Sequence, residues 1–360
     1  MATLTEASVT ARKVIKFGLI GFVGITILWY LGSAAIKLYI SLNPPPLPAP
    51  TMDFGLLPKI TFPESTNRPQ LSLELPTGNI PTFVDRMRIY SQPIKKSSFT
   101  DSANAIEIAA ALGFLFKPDQ KTDANYVWTN QDQLNSKLDM NIVNTHFTLT
   151  RQWQNNPALA AMAAFSSDKA VILDTENYLS KVGLLNPDVV GVEKISYLKD
   201  DAGKLTNALS LSDADFVQLD LFRKNIDEID PNSKTKEVLA SYPFYRSNPN
   251  MGLIRVVVSG SESLSDKVIQ LNYGYNNIDY TKSGIYPIKT GADAWSELEK
   301  GGGYVFPGDS TTTQVKIRRI FLGYYDADIS TGYAMPIYIF LGDQGFTAYV
   351  SAVVNQDIAK

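Results

Sequence analysis

One apolar stretch near the start of the chain differs from the mixed pattern that follows it. Phe17 and Ile36 bound a run of twenty residues that carries no charge. A helix of this length crosses the hydrocarbon core of a bilayer. Trp29 and Tyr30 lie in its second half, and aromatic side chains are typical of the membrane–water interface. The pattern predicts a single transmembrane helix over residues 17–40.

Basic residues are distributed unequally around this run. Arg12, Lys13 and Lys16 precede it, whereas only Lys37 follows it directly. Because basic residues are retained in the cytoplasm, the bias predicts a cytoplasmic tail over residues 1–16 and an extracytoplasmic remainder. The expected location is the cell membrane, with one pass and the folded part outside.

Two other interpretations of the run stay open. A cleaved signal peptide also has a basic start and an apolar core, and the small residues at 33–35 suit its cleavage. Gly18, Gly21 and Gly24 have helical spacing, which allows a partner helix to approach closely in lipid.

The pattern after the run becomes extended and then mixed. Closely spaced prolines at 44–50 fix φ and remove backbone donors, so residues 41–81 are predicted to be a proline-rich linker or strap with one or two edge strands. Beyond them, short strands alternate with short helices, which is typical of an α+β fold with antiparallel sheets. We predict two α+β units, residues 82–185 and the strand-rich residues 186–360. A divergent duplication of one unit stays open.

Several elements within these units have specific signals. Residues 102–112 form a predicted helix between Thr100 or Asp101 as N-cap and Gly113 as the C′ residue. The other predicted helices are at 157–165, which is rich in alanine, at 169–182 and at 292–300. The predicted strands are 86–90, 124–129, 137–142, 146–149, 216–222, a hairpin of 253–258 with 267–273, and three final strands at 315–325, 333–341 and 346–354. A change of phase at Arg318 and Arg319 indicates a β-bulge.

Composition narrows the functional classes. A net charge of −3 and the lack of a basic stripe argue against nucleic-acid binding. The chain has no cysteine, which excludes disulfides, thiolate catalysis and cysteine–zinc sites. We expect no cofactor, and the exported part must be stabilised by its hydrophobic core.

Candidate catalytic groups are sparse. The single histidine, His146, lies in a predicted strand, and no Gly-x-Ser-x-Gly elbow is present to expose a serine. Residues 166–169 (SSDK) and 289–291 (KTG) match two elements of penicillin-interacting serine enzymes, but no S-x-N element lies between them. The second element is expected to precede a helix, and Ser166 suits a helix N-cap. We assign no catalytic residue.

Oxygen-rich turns are weak candidates for cation binding. Residues 326–332 (DADISTG) begin like a calcium loop, but the glycine comes one position late and Ile337 replaces the final glutamate. A hairpin turn explains them better, and residues 227–232 are similarly a solvated turn. We assign no metal ligand.

Tyrosine is dense in the last third of the chain. Tyr324, Tyr325, Tyr333 and Tyr338 form the candidate recognition surface, because exposed tyrosines suit protein or glycan recognition. Tyrosines are also normal in strands, so packing is the alternative.

The last third also carries a family resemblance. The relevant pieces are IYP from Ile285, AWSEL from Ala294, GGGY from Gly301, VKIRRIFLGYY from Val315, PIYIF from Pro336 and AYVSA from Ala348. Together they resemble the C-terminal domain of the YycH/YycI proteins, single-span extracytoplasmic accessory regulators of an envelope-sensing histidine kinase. The resemblance implies a bacterial membrane-anchored protein with an α+β domain that lacks enzymatic activity and regulates a membrane partner by contact.

Three functional hypotheses follow. The first is a non-enzymatic binding or regulatory protein that acts through a membrane or envelope protein partner. The second is a structural or assembly component of the envelope, for which homo-oligomerisation would be natural. The third is a serine enzyme acting on cell-wall material. The incomplete catalytic set and the resemblance favour the first.

Overall fold

The computed structural model describes residues 4–42, 49–65, 68–162, 165–191, 193–229, 237–306 and 313–358. It divides into two compact units, Met1–Ala49 and Pro50–Lys360. The helices are α1 (Leu4–Leu42), α2 (Asp101–Ala111), α3 (Ala158–Ala161), α4 (Asp168–Lys181), α5 (Leu264–Lys267) and α6 (Gly291–Glu299). The strands are β1 (Gln70–Leu73), β2 (Arg86–Gln92), β3 (Asp119–Gln120), β4 (Asn125–Asn130), β5 (Ser136–Asn141), β6 (Phe147–Thr150), β7 (Glu193–Asp201), β8 (Lys204–Asn207), β9 (Phe216–Leu221), β10 (Ile226–Ile229), β11 (Val238–Tyr242), β12 (Phe244–Tyr245), β13 (Ile254–Ser259), β14 (Val268–Tyr273), β15 (Asp279–Pro287), β16 (Tyr304–Val305), β17 (Gln314–Tyr325), β18 (Gly332–Gly342) and β19 (Thr347–Ser351).

The first unit contains the helix α1. Its segment Lys16–Ile36 is long and apolar enough to cross a membrane, with a mean hydropathy of 2.0. The side chains predicted to mark the span are 62–68% exposed, namely Phe17, Trp29, Tyr30 and Ile36. The predicted apolar helix is confirmed and is compatible with a single-pass anchor. The side chains of Arg12 and Lys13 lie outside the described part of the chain.

The larger sheet of the second unit has nine antiparallel strands in the order β3-β4-β5-β6-β14-β13-β9-β7-β8. The predicted hairpin is confirmed as β13 and β14. On its other side β14 pairs with β6, where Leu271 lies opposite Leu149. The boundary that we predicted at residues 185–186 therefore passes between strands of one sheet.

One face of this nine-stranded sheet is covered by α2 and α4. Ala105 and Ala109 of α2 belong to the same core cluster as Val171 and Leu179 of α4 and the inward residues of the strands, such as Leu149. Because side chains alternate along a strand, the remaining residues point to the opposite face. Part of the opposite face is covered by a smaller apolar cluster that includes Trp153, Phe216 and Val257, and the rest carries polar groups.

The second sheet has eight strands, with β1-β17-β18-β19-β16 as its main order. Strands β2 and β12 pair with β18 and β17, respectively, and β15 pairs with β2. The predicted final strands are confirmed as the antiparallel succession β17, β18 and β19. The register between β17 and β18 shifts between Ile317 and Arg319, which confirms the predicted bulge. From the strap, β1 pairs in parallel with β17 at the edge of the sheet.

The alanine-rich stretch differs from its prediction. In place of a helix over 157–165, α3 covers four residues. Leu159 is fully buried, whereas Met162 is 48% exposed. Most of the stability of a helix in a protein comes from burying an apolar face. Because α3 buries a single apolar side chain, the helix propensity of alanine alone does not extend it beyond one turn. The described part of this stretch ends at Met162.

Candidate functional site

The second face of the nine-stranded sheet carries two rows of mostly polar side chains, which are exposed on β5 and β6 and become buried toward β13 and β9. The cross-strand register aligns one row across six strands, namely Asp139, Thr148, Asn272, Arg255, Asp220 and Lys194. A parallel row contains Lys137, Thr150, Gln270, Val257, Gln218 and Ser196. Neighbouring strands lie about 4.8 Å apart, so the first row forms a ladder of donors and acceptors, whereas the buried Val257 interrupts the second.

A cleft of about 600 Å³ lies over the exposed part of this face, which we call the open face. Its polar lining includes Lys137, Asp139, Asn141, His146, Arg246 and Asn272. Lys137 and Asp139 form a pair at 3.3 Å, and their side chains are 51% and 49% exposed. The cleft therefore offers half-exposed charges and amides, which are groups suited to reversible recognition.

A buried arginine lies near the end of the cleft. The side chain of Arg223 is fully buried. Its Nε donates to the Asp326 carboxylate at 2.8 Å, its Nη1 donates to Asp188, and its Nη2 donates to the backbone carbonyl of Asn276 at 2.6 Å. Burial by itself would lower the pKa of Arg223, but the two carboxylates outweigh this effect and raise it. Arg223 is therefore a permanent buried cation.

Aromatic groups complete the surroundings of this arginine. The guanidinium carbon of Arg223 lies 4.8 Å from the ring centre of Tyr275 and 5.4 Å from that of Phe244. The hydroxyls of Tyr275 and Tyr280 donate to Asp188 at 3.0 and 3.1 Å. Burial raises the pKa of Tyr275 to about 12. The cluster thus links the two sheets, since Arg223 follows β9 of one sheet and Asp326 follows β17 of the other.

The turn between β17 and β18, residues 326–332, begins like a calcium loop, but its carboxylates form ion pairs. Asp326 pairs with Arg223. Asp328 accepts from Arg246 at 2.5 Å and also from Ser247. Within the described ranges, no group of three histidine, aspartate or glutamate side chains is placed to hold a metal ion.

The other candidate turn, residues 227–232, is described only in part. Asp227 accepts a hydrogen bond from Ser241 at 2.6 Å, and residues 230–232 lie outside the described residues.

His146 lies at the margin of the cleft and is held by an amide. Its Nε2 is 3.1 Å from Oδ1 of Asn276. Because Nδ2 of Asn276 donates to the carbonyl of Ala327 at 2.9 Å, Oδ1 faces the imidazole and Nε2 is the donor. Burial lowers the pKa of His146 below its ordinary value. The residue is therefore a neutral structural link between β6 and the turn after β17.

The lowered pKa predicts a pH dependence for His146→Leu. The unfolded chain binds the proton more tightly, so the stabilising contribution of His146 is present above about pH 6.5 and is lost as the pH falls toward the folded-state pKa. Near neutral pH we expect the variant to be less stable by about 1 kcal/mol, because the bond to Asn276 is lost. At about pH 5 the difference should shrink or reverse. Urea unfolding at both pH values measures the difference in stability between the native protein and the variant. An equal difference at both pH values would contradict the lowered pKa of His146.

The residues that match the serine-enzyme elements have structural roles. Thr290 is the N-cap of α6 and forms a capping box with Asp293, so the prediction that KTG precedes a helix is confirmed. Nζ of Lys289 pairs with Glu297 at 2.6 Å. At the other element, Ser167 and not Ser166 is the N-cap of α4, accepting from the backbone NH of Ala170 at 3.2 Å.

The candidate tyrosine surface is corrected by the structure. Tyr324, Tyr325 and Tyr338 are 1%, 4% and 0% exposed. The ring of Tyr333 packs against Phe54 with centres 4.9 Å apart. Both faces of the eight-stranded sheet are covered here by other elements, so alternate strand positions are equally buried and tyrosine serves as a packing residue. Tyr324, Tyr325 and Tyr338 are therefore too buried for a recognition surface, and Tyr333 is half-buried.

The sequence interpretation missed the Arg223 cluster. Its partners lie far apart in the chain, with Asp188 before β7 and Asp326 after β17. No local pattern distinguishes such carboxylates from the solvated ones. The sole signal is the position of Arg223 directly after the apolar strand β9, where a charge would need a buried partner.

Comparisons with known proteins add little. No family model matches the chain, and no curated protein matches it. A solved structure described as an uncharacterized protein from Eubacterium rectale ATCC 33656 is similar with a TM-score of 0.39 and 11% identity, covering 74% of this chain and 82% of that one. A likeness of this size carries no argument about function.

Proposed function

We propose that this protein is a single-pass membrane protein of a bacterial envelope whose exported part binds a protein partner without catalysing a reaction. The observation that carries the proposal is the open polar face of the nine-stranded sheet with its cleft of about 600 Å³. Half-exposed charges such as Lys137 and Asp139 give this face specificity by electrostatic complementarity. The helix α1 supplies the anchor.

Two further points support a binding role over an enzymatic one. His146 is neutral and bound to Asn276, and a desolvated imidazole held in this way is a poor general base. Lys289 pairs with Glu297 instead of activating a serine. The resemblance to the YycH/YycI proteins supports regulation of a membrane partner as the purpose of binding.

The test is a cross-linking pull-down of the full-length protein from its native membrane, comparing Lys137→Glu with Lys316→Glu. Lys316 pairs with Glu74 at 2.6 Å and is 55% exposed, so it matches Lys137 in exposure and pairing but lies on the other sheet. We expect a defined membrane protein to be captured by the native protein and by Lys316→Glu, and to be lost with Lys137→Glu.

Other outcomes would redirect the proposal. Capture that is insensitive to Lys137→Glu would show that the open face is not the binding surface. Capture of the protein by itself alone would support the structural or assembly role. Labelling by an acyl-serine probe that disappears in Ser166→Ala would contradict the non-enzymatic role.

A further inference from the structure

Three large apolar side chains protrude at the two ends of α2. Phe99 is fully exposed directly before the helix, and Leu115 and Phe116 are 80% and 74% exposed directly after it. The intervening Phe114 is 2% exposed, so it fixes the second tip to the core. Exposed aromatic side chains at both ends of one helix are uncommon on a surface that faces only water.

The two tips are held rigidly. The backbone NH of Ser98 donates to the Asp101 carboxylate at 2.7 Å, which fixes the approach to the helix. After the helix, Arg151 donates to the carbonyl of Leu112 at 3.2 Å, and Asn130 donates to that of Gly113 at 3.0 Å. These bonds fix the backbone on each side of α2, from which the apolar side chains protrude.

Lysines surround both tips. Lys95 and Lys96 are exposed beside Phe99, and Lys117 is exposed beside Phe116. Lys95 lies 3.5 Å from the buried Asp101. Apolar tips flanked by lysines complement a bilayer surface, where the aromatic rings enter the interface and the ammonium groups meet anionic headgroups. Glu107, exposed on α2, and Asp119, exposed and paired with Lys121, are opposing charges near the tips.

We infer that Phe99, Leu115 and Phe116, with Lys96 and Lys117, form a second contact with the membrane, to an anionic lipid surface. The inference rests on the proposed anchoring by α1. The eight residues 43–50 can extend over at most about 29 Å, which keeps the folded unit within reach of a bilayer that α1 spans. Such a short tether gives the lipid surface a high effective concentration, and weakly binding tips then suffice.

The lack of native cysteine allows a clean test with single-cysteine variants of the full-length protein in vesicles of equal parts phosphatidylcholine and phosphatidylglycerol. A nitroxide at Ser97→Cys reports on the first tip without removing Phe99. Leu209→Cys is the control, because Leu209 is 97% exposed on the loop after β8. Leu28→Cys reports on the span. Power saturation with oxygen and with a water-soluble nickel complex measures the lipid contact of each label.

We expect the labels at positions 28 and 97 to favour oxygen several-fold over the nickel complex, and the label at 209 to show no such preference. Adding Phe99→Ser and Phe116→Ser should abolish the preference at position 97. Vesicles of pure phosphatidylcholine should weaken the oxygen preference at position 97, and Glu107→Gln should strengthen it.

Two outcomes would contradict different parts of the inference. A lipid signal at 28 with an aqueous signal at 97 overturns the inference but leaves the anchor intact, whereas an aqueous signal at 28 overturns the anchor itself. A signal at 97 that survives removal of both phenylalanines would also overturn the inference.

Discussion

Replacing Arg223 by methionine is expected to lower the free energy of unfolding by about 3–5 kcal/mol. Methionine fills a similar volume but leaves Asp326, whose side chain is 1% exposed, without its cation, and removes a partner of Asp188. An uncompensated buried carboxylate costs far more than the pair contributed. Urea unfolding of the native protein and the variant measures the difference.

Arg318→Met is the matched control for that prediction. Arg318 also bridges two carboxylates, Glu74 and Asp343, but its side chain is 41% exposed. Exposed ion pairs are screened by water, so the loss should be far smaller than for Arg223→Met. A similar loss for Arg223→Met and Arg318→Met would show that burial of the Arg223 cluster does not set its energy. The double variant Arg223→Met with Asp326→Leu should recover part of the stability, because the unpaired charge is removed.

Gly303→Ala is expected to destabilise the protein by about 3 kcal/mol. Gly303 has a φ of +66°. A Cβ at this position would overlap the backbone carbonyl oxygen of Tyr349, and this backbone belongs to a paired strand that has little freedom to move. Thermal and urea unfolding followed by circular dichroism measure the loss.

Gly301→Ala separates the two causes of that loss. Gly301 also has a positive φ, of +87°, but a Cβ there meets open space. This variant should therefore lose only the free energy needed to hold alanine at a positive φ, about 1 kcal/mol. If both alanine variants lost the same amount, the close approach to Tyr349 would not be the reason that glycine is required at 303.

These stability predictions bear on function because the Arg223 cluster lies beside the cleft. Asn276 gives its backbone carbonyl to Arg223 and its side-chain oxygen to His146, which lines the cleft. A change in the cluster should therefore alter the shape of the cleft as well as the stability of the fold. Under the proposed function, Arg223→Met would weaken partner capture even where the folded population remains high.

The sequence by itself determined the elements whose signals are local. The uncharged run marks the helix that contains Lys16–Ile36, the alternation of the last strands marks β17, β18 and β19, and a change of phase marks the bulge near Arg319. Thr290 and the residues after it specify the start of α6. Each of these depends on interactions between residues close in the chain, which is why periodicity and capping rules detect them.

Only the tertiary structure decided which strands share a sheet and which polar groups meet. The pairing of β14 with β6 crosses the boundary predicted between the two units, since a strand carries no local record of its distant partner. The same reason explains the tyrosines: Tyr338 is buried because both faces of its sheet are covered, which alternation within one strand does not reveal. Arg223, Asp188 and Asp326 come together through long-range contacts alone, and so the candidate site emerged from the fold.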